Sequence, residues 1–275
     1  MSHPFRFGVV AAPRGPEQDW FATVRRIADR GYSTVLSPDG TALHSPFVSL
    51  SAAVTAVPGL RVGTFVLAAP LRAARLAAWE GHSLSVLSGG RFDFGIGTGR
   101  PDARPEAESF GRPGGTGADR LAAVRDSIAA LRELDGEQWH TPVMIAAGGP
   151  NALGLAAAEA DIVALAAAPS TPRATVVALA ADLRSRAGDR AEAIELALNL
   201  FLVGDEVQPW MRRYMDVDPG ELHRQDSPGA VRGTPREMAD QLLRRRDELG
   251  VTYYAVGENF VDALAPVVDL LAGHE

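Results

Sequence analysis

Cysteine is absent from the 275 residues, so disulfides, thiolate metal sites and cysteine nucleophiles are all excluded. Lysine is absent too. All 27 basic residues are arginine, which removes lysine Schiff-base chemistry and the lysine form of phosphate clamp. Excess positive charge is lacking: a net charge of −7 speaks against general nucleic-acid binding. No apolar run approaches the ~20 residues of a membrane-spanning helix. The opening MSHPFRFGVV has no basic region followed by a long apolar segment, so no secretory leader is expected. No spacing of His, Asp and Glu suggests a metal. With 46% hydrophobic and 22% charged residues, the expectation is a soluble, cytoplasmic, globular domain.

The least ordinary stretch is Leu87–Arg100, LSGGRFDFGIGTGR. A helical run ends in Ser88-Gly89-Gly90, where glycine supplies a left-handed cap. Arg91–Gly97 then alternates like a short strand and runs into Thr98-Gly99-Arg100. Glycines at a strand exit either make a turn or let the backbone approach a ligand closely.

Around this stretch the chain alternates strand and helix. Apolar runs beginning near Phe5, Ser33, Leu60, Arg91, Pro142, Asp161, Glu192 and Val251 read as eight strands, the third spanning Leu60–Leu67 and the seventh Glu192–Val203. Helical spacing falls between them, at Trp20–Arg30, Phe47–Val57, Leu71–Leu87, Asp119–Leu134, Asn151–Ala160, Thr171–Ala187, Pro235–Leu249 and Val261–Leu271. Pro101–Gly117 reads as a loop. Asp205–Gly233 reads as an irregular insertion or lid with a short helix near Trp210–Met215. The strands lack clean alternation, as parallel strands buried on both faces do. One α/β domain over residues 1–275, an eight-stranded (β/α)8 TIM barrel, is the predicted fold. The competing doubly wound sheet lacks its glycine fingerprint after the first strand, where Ala11-Ala12-Pro13-Arg14-Gly15 stands instead.

In such a barrel, function sits at the strand C-terminal ends. Those ends carry Asp39 and His44, Ala68-Ala69-Pro70, Thr98-Gly99-Arg100, Gly148–Asn151 and Gly257-Glu258-Asn259. The set is rich in glycine and poor in acid–base groups. It suits a large planar or phosphorylated ligand better than metal hydrolysis. Gly148-Gly149 before a helix fits an anion, because free N–H groups and the helix dipole favour negative charge there.

Four segments carry a resemblance across nearly the whole chain: RVGTFVL (Arg61–Leu67), LSGGRFDFGIGTG (Leu87–Gly99), IAAGGP (Ile145–Pro150) with LAAAEAD (Leu155–Asp161), and GTPREMA (Gly233–Ala239) before DELGVTYY (Asp247–Tyr254). In this order they resemble the bacterial-luciferase-like oxidoreductases, which are flavin- or deazaflavin-dependent barrels. The IAAGGP and GIGTG pieces look most like the branch using coenzyme F420, an 8-hydroxy-5-deazaflavin. The resemblance implies a homodimer acting on a small-molecule substrate. It implies Asp39 near the polar edge of the cofactor ring and Val66, Leu67 and Ala68 in a bulge propping the ring, often with a non-proline cis peptide. It also implies Thr98 and Gly99 against the ring or ribityl chain, and Ala147, Gly148, Gly149 and Asn151 around the phosphate.

Two positions depart from that pattern. Gly40 stands where deazaflavin dehydrogenases of the family often have His after the Asp, and Arg100 where some carry a carboxylate. Dehydrogenation of a hydroxyl, which needs a base, is therefore disfavoured. The expected activity is hydride transfer by F420 to a C=C or C=N bond, as in natural-product tailoring. An FMN-dependent monooxygenase and a catalytically silent flavin- or metabolite-binding barrel are the alternatives. His44, a loop histidine on the catalytic face, and Arg100 are the candidate catalytic residues. Arg100 either pairs with Asp102, Glu106 or Glu108, or meets an anionic substrate.

Overall fold

The computed structural model describes residues 3–14, 19–100, 104–207, 211–212 and 218–274. Strands β1 (Arg6–Val10), β2 (Thr34–Ser37), β3 (Arg61–Thr64), β4 (Leu67–Ala68), β5 (Phe92–Gly97), β6 (Val143–Ala147), β7 (Ile162–Leu165), β8 (Glu195–Leu200) and β11 (Val251–Gly257) form one sheet. Its order is β3-β2-β1-β11-β8-β7-β6-β5-β4, and a β3–β5 pairing closes it. All these pairings are parallel. With β3 and β4 counted as one interrupted strand, the result is the expected eight-stranded barrel.

Helices α1 (Trp20–Asp29), α2 (Pro46–Ala56), α3 (Ala74–Leu87), α5 (Gly117–Asp135), α6 (Pro150–Glu159), α7 (Arg173–Ala187), α9 (Pro235–Leu249) and α10 (Val261–Leu271) connect the strands. Two begin with a reciprocal capping box, Thr116 with Asp119 and Thr234 with Glu237.

Strand periodicity sorts the interior. Along β5, Phe92, Phe94 and Ile96 join the large core cluster between sheet and helices, whereas Asp93, Gly95 and Gly97 alternate with them on the barrel side. A second cluster of Leu36, Met144, Ile162, Ala164, Ala197, Tyr253 and Ala255 gathers residues from five strands inside the barrel. Below it, toward the strand N-termini, lies a charged layer. Arg6 donates to Glu195 at 3.1 and 2.8 Å and to Asp93 at 3.2 Å, and lies 3.9 Å from the Tyr253 ring centre. Arg61 donates to the other Asp93 oxygen at 2.6 Å. Burial pushes the Glu195 carboxyl up from its ordinary value, against the opposing pull of Arg6.

Three sequence expectations need correction. The third strand is not continuous from Leu60 to Leu67. It breaks after Thr64, and the Phe65–Val66 peptide is cis. At the break the Thr64 hydroxyl donates to Gly95 O at 2.7 Å and accepts from Gly95 N at 2.8 Å, so one side chain satisfies both backbone groups. The supposed loop Pro101–Gly117 contains a helix, α4 (Arg104–Ser109), held by the fully buried Ala107. The seventh strand region divides into a 3-10 turn (Gly188–Ala193), β8 and a short β9 (Leu202–Val203), which leaves the barrel to pair with β10 (Ala230–Val231).

Within the 205–233 segment, helix α8 (Pro219–Arg224) and β10 are tied to the body. Buried Arg245 of α9 donates to Pro228 O at 2.9 Å and to Ala230 O, and Ser227 donates to Pro169 O at 2.7 Å. Trp210 and Tyr214, in and near the short helix expected there, lie outside the described residues.

Candidate active site

At the C-terminal ends of β2, β4, β5 and β6 lies a cavity of ≈ 360 Å³. That volume is within the range typical of small-molecule sites. Of the candidate residues, Asp39, Val66, Ala68, Thr98, Gly99 and Arg100 line it. Phe65 and the small Gly97, Ala146 and Ala166 supply a largely apolar wall.

Asp39 is held firmly. Its side chain is only 3% exposed and accepts from Ala68 N at 2.9 Å and from both terminal nitrogens of Arg72, one at 2.9 Å. The carboxylate therefore ties the β2 exit to the start of β4, and its charge is matched by a forked guanidinium. Glu80 is electrostatically coupled to this pair, and burial pushes its carboxyl above the ordinary range. Arg72 carries no motif visible in the sequence; only its two hydrogen bonds to Asp39 reveal its part.

Thr98 and Gly99 leave β5 beside the bulge. Gly99 sits at φ +70°, and a Cβ there would lie 3.4 Å from the Ala68 Cβ. The positive φ favours glycine, so Gly99 is required by the turn itself. Leu67 and Ala147 are fully buried and do not line the cavity; they pack behind it. His44 lies exposed on the α2 approach and is also absent from the lining.

Gly148 and Gly149 behave differently. A Cβ at Gly148 would approach Ala166 O to 2.7 Å, so packing alone demands glycine. Gly149 has φ −110° and ψ 161°, ordinary extended backbone, and a Cβ there would meet nothing within 4 Å. It caps α6, whose first intrahelical amide is Leu153 N to Gly149 O at 2.9 Å. The amides of Asn151 and Ala152 precede that bond and face the end of a ten-residue helix. Gly149 and Asn151 are exposed, and Ala146, three residues before Gly149, lines the cavity.

Glu106 also lines the cavity, a residue sequence reasoning names only as a partner for Arg100. It comes from α4 and accepts a hydrogen bond from Thr41 N. A second cavity on this face, of ≈ 390 Å³, is lined by Val10, Asn199, Met211, Gly257 and Asn259 among others. The larger cavity of ≈ 510 Å³ lies at the opposite, N-terminal end of β8 and β11, away from the strand exits where barrel chemistry is sited.

The fold is thus a parallel β/α barrel with a cavity at its C-terminal mouth lined largely by small residues. The chain belongs to the luciferase-like monooxygenase family, which it matches over residues 5–208. No curated protein matches its sequence. Among solved structures it is similar in fold to an F420-dependent secondary alcohol dehydrogenase in complex with an F420–acetone adduct, with 16% identity, TM-score 0.72, and 96% of this chain and 98% of that one covered. The coenzyme F420 dependent tetrahydromethanopterin reductase from Methanopyrus kandleri gives 15% identity, TM-score 0.71 and coverage of 98% and 99%. The monooxygenase RslO1 from Streptomyces bottropensis gives 20% identity, TM-score 0.69 and coverage of 96% and 97%. These likenesses establish the fold.

Proposed function

We propose that this chain is an oxidoreductase that binds coenzyme F420, with FMN as the alternative, and transfers hydride to a C=C or C=N bond of a small organic metabolite. The observation that carries the reading is Gly149. Neither its backbone conformation nor its neighbours require glycine, and it immediately precedes the open amides at the start of α6. A phosphate seated on those amides accounts for it. The small-residue wall of Gly97, Ala146 and Ala166 and the bulge at Val66 and Ala68 fit the edge of a planar ring system. Hydride chemistry comes from the bound cofactor, while the protein supplies orientation, a dry wall and charge.

Asp39 holds the bulge in place through Ala68 N and Arg72. Arg100 at the rim suits an anionic substrate or cofactor tail. His44, exposed and outside the cavity lining, has the weaker claim to a catalytic part. A homodimer in the cytoplasm goes with this reading; exposed Leu76, Trp79 and Leu87 along one side of α3 support a subunit contact.

The test is Gly149→Val, followed by fluorescence titration with F420 and with FMN. Loss of one or two charge-assisted hydrogen bonds, each ~1.5–3 kcal/mol, should weaken binding roughly tenfold to several thousandfold. The melting temperature should hardly change, because the added side chain meets open space. Unchanged affinity in the folded variant would place the phosphate elsewhere.

A further inference from the structure

We propose that Glu106 is the proton-exchanging residue of this site, delivered by α4 to the cavity wall beside the β2 exit. The proposal rests on the oxidoreductase reading above. It starts from an elimination among the described residues lining the cavity. Three of them carry ionisable side chains: Asp39, Arg100 and Glu106. Both Asp39 oxygens are taken up by the Arg72 fork, one of them also by the Ala68 amide, and neither is left for a ligand. A guanidinium does not deprotonate in a protein, which removes Arg100. Glu80 and His44 do not line the cavity. Glu106 remains.

Its placement is specific. Oε1 accepts from the Thr41 amide, and the same oxygen lies 3.5 Å from where a Gly40 Cβ would be. That is ordinary contact distance, so the Glu106 carboxylate packs directly against the Gly40–Thr41 backbone at the β2 exit. The second oxygen, Oε2, accepts no hydrogen bond from a described residue and is left for a ligand. Charged neighbours on the packed elements are Asp39 with Arg72, Arg100 at the β5 exit, and on α4 itself Arg104 paired with Glu108 at 2.9 Å.

The step balances for a C=N substrate with a dihydroflavin-class reductant. Carbon receives hydride, the nitrogen lone pair takes the Glu106 carboxyl proton, and the C=N π bond breaks as C–H and N–H form; in an enone the β-carbon receives hydride, the C=C π bond breaks, and the enolate α-carbon takes the same proton. The reductant is oxidised by two electrons. The carboxylate left behind regains its proton from water. The substrate class this favours carries a basic imine nitrogen, or a carbonyl conjugated to C=C, at the β2–α4 side of the mouth.

The test compares wild type with Glu106→Gln and Glu106→Ala, using F420 and FMN as probes. Fluorescence titration should show both variants binding within about threefold of wild type. Infrared difference spectra between loaded and free protein should contain a carboxyl band in wild type that is missing in Glu106→Gln. With 2-cyclohexen-1-one as oxidant under anaerobic conditions, reoxidation of the bound reduced cofactor should fall at least about a hundredfold in Glu106→Gln. The fall should be accompanied by loss of the pH dependence seen in wild type. Normal binding with the same carboxyl band in Glu106→Gln overturns the proposal. So does an unchanged reoxidation rate and pH profile. If wild type binds neither cofactor, the oxidoreductase reading itself fails.

Discussion

The two ends of the barrel are built on opposite principles. At the N-terminal end, Arg6, Arg61, Asp93 and Glu195 meet inside the strands, capped by the Tyr253 ring. Phe5, Phe7 and Tyr254 stack outside them, with ring centres 6.1–6.4 Å apart. At the C-terminal end, two strand positions beyond, the same faces carry Val10, Gly97, Ala146, Asn199 and Gly257, and cavities open. One end is filled with paired charges and stacked rings; the other is open so that something else can fill it. Stability and function are thus separable along the barrel axis.

The sharpest way to break the comparison is Asp93→Ala. Asp93 is 1% exposed and pairs with two arginines. Removing it leaves the part-buried Arg6 and Arg61 each short of a partner, although Arg6 keeps Glu195, and a cost of about 3–5 kcal/mol is expected. Urea denaturation should show this loss, while cofactor affinity of the folded fraction stays at wild-type level. A matching loss of affinity would mean that the two ends are coupled.

Asp39→Ala is the counterpart at the other end. It too removes a buried carboxylate from arginine, but one cation loses its partner here rather than two. The stability cost should be smaller, about 1.5–3 kcal/mol, and affinity for F420 or FMN should fall because the Val66–Ala68 bulge loses its tie. Equal stability losses for Asp39→Ala and Asp93→Ala would erase the proposed asymmetry.

The smallest effect concerns pH and lies outside both ends. Backbone and side-chain hydrogen bonds from Thr234 hold the exposed Glu237 carboxyl below its ordinary range. A lowered folded-state value means that this contribution is present above the unfolded value and disappears as pH falls through the folded one. Thermal melts from neutral to acid pH should therefore show a shallower decline for Glu237→Gln than for wild type. An identical slope would remove the capping box from the list of acid-sensitive elements.

How much of this was legible in the sequence depended on length and on locality. Val251 to Leu271 reads correctly, because long apolar runs with clear punctuation state their own period. The six-residue α4 escapes, since it starts Arg104-Pro105, lies in a Pro/Gly-rich stretch and has one buried residue. The two-residue β9 and β10 are too short to show any period. At the site, Asp39, Val66, Ala68, Thr98, Gly99 and Arg100 come together as their positions at strand ends imply. Arg72 and Glu106 do not announce themselves, because their roles arise from contacts 33 and 65 positions away in the chain.

The Thr64–Gly95 clasp has a consequence for how this sequence can drift. A Cβ at position 95 would lie 1.8 Å from Thr64 O, and both backbone groups of Gly95 are answered by the Thr64 hydroxyl. Position 95 is therefore closed to every side chain while position 64 keeps its place, and position 64 accepts only residues with a short hydroxyl. Serine is the single neighbour open to it. The seam of the barrel is thus a two-letter word whose second letter is fixed and whose first has one synonym, so a lineage descending from this chain carries the pair forward or rebuilds the closure elsewhere.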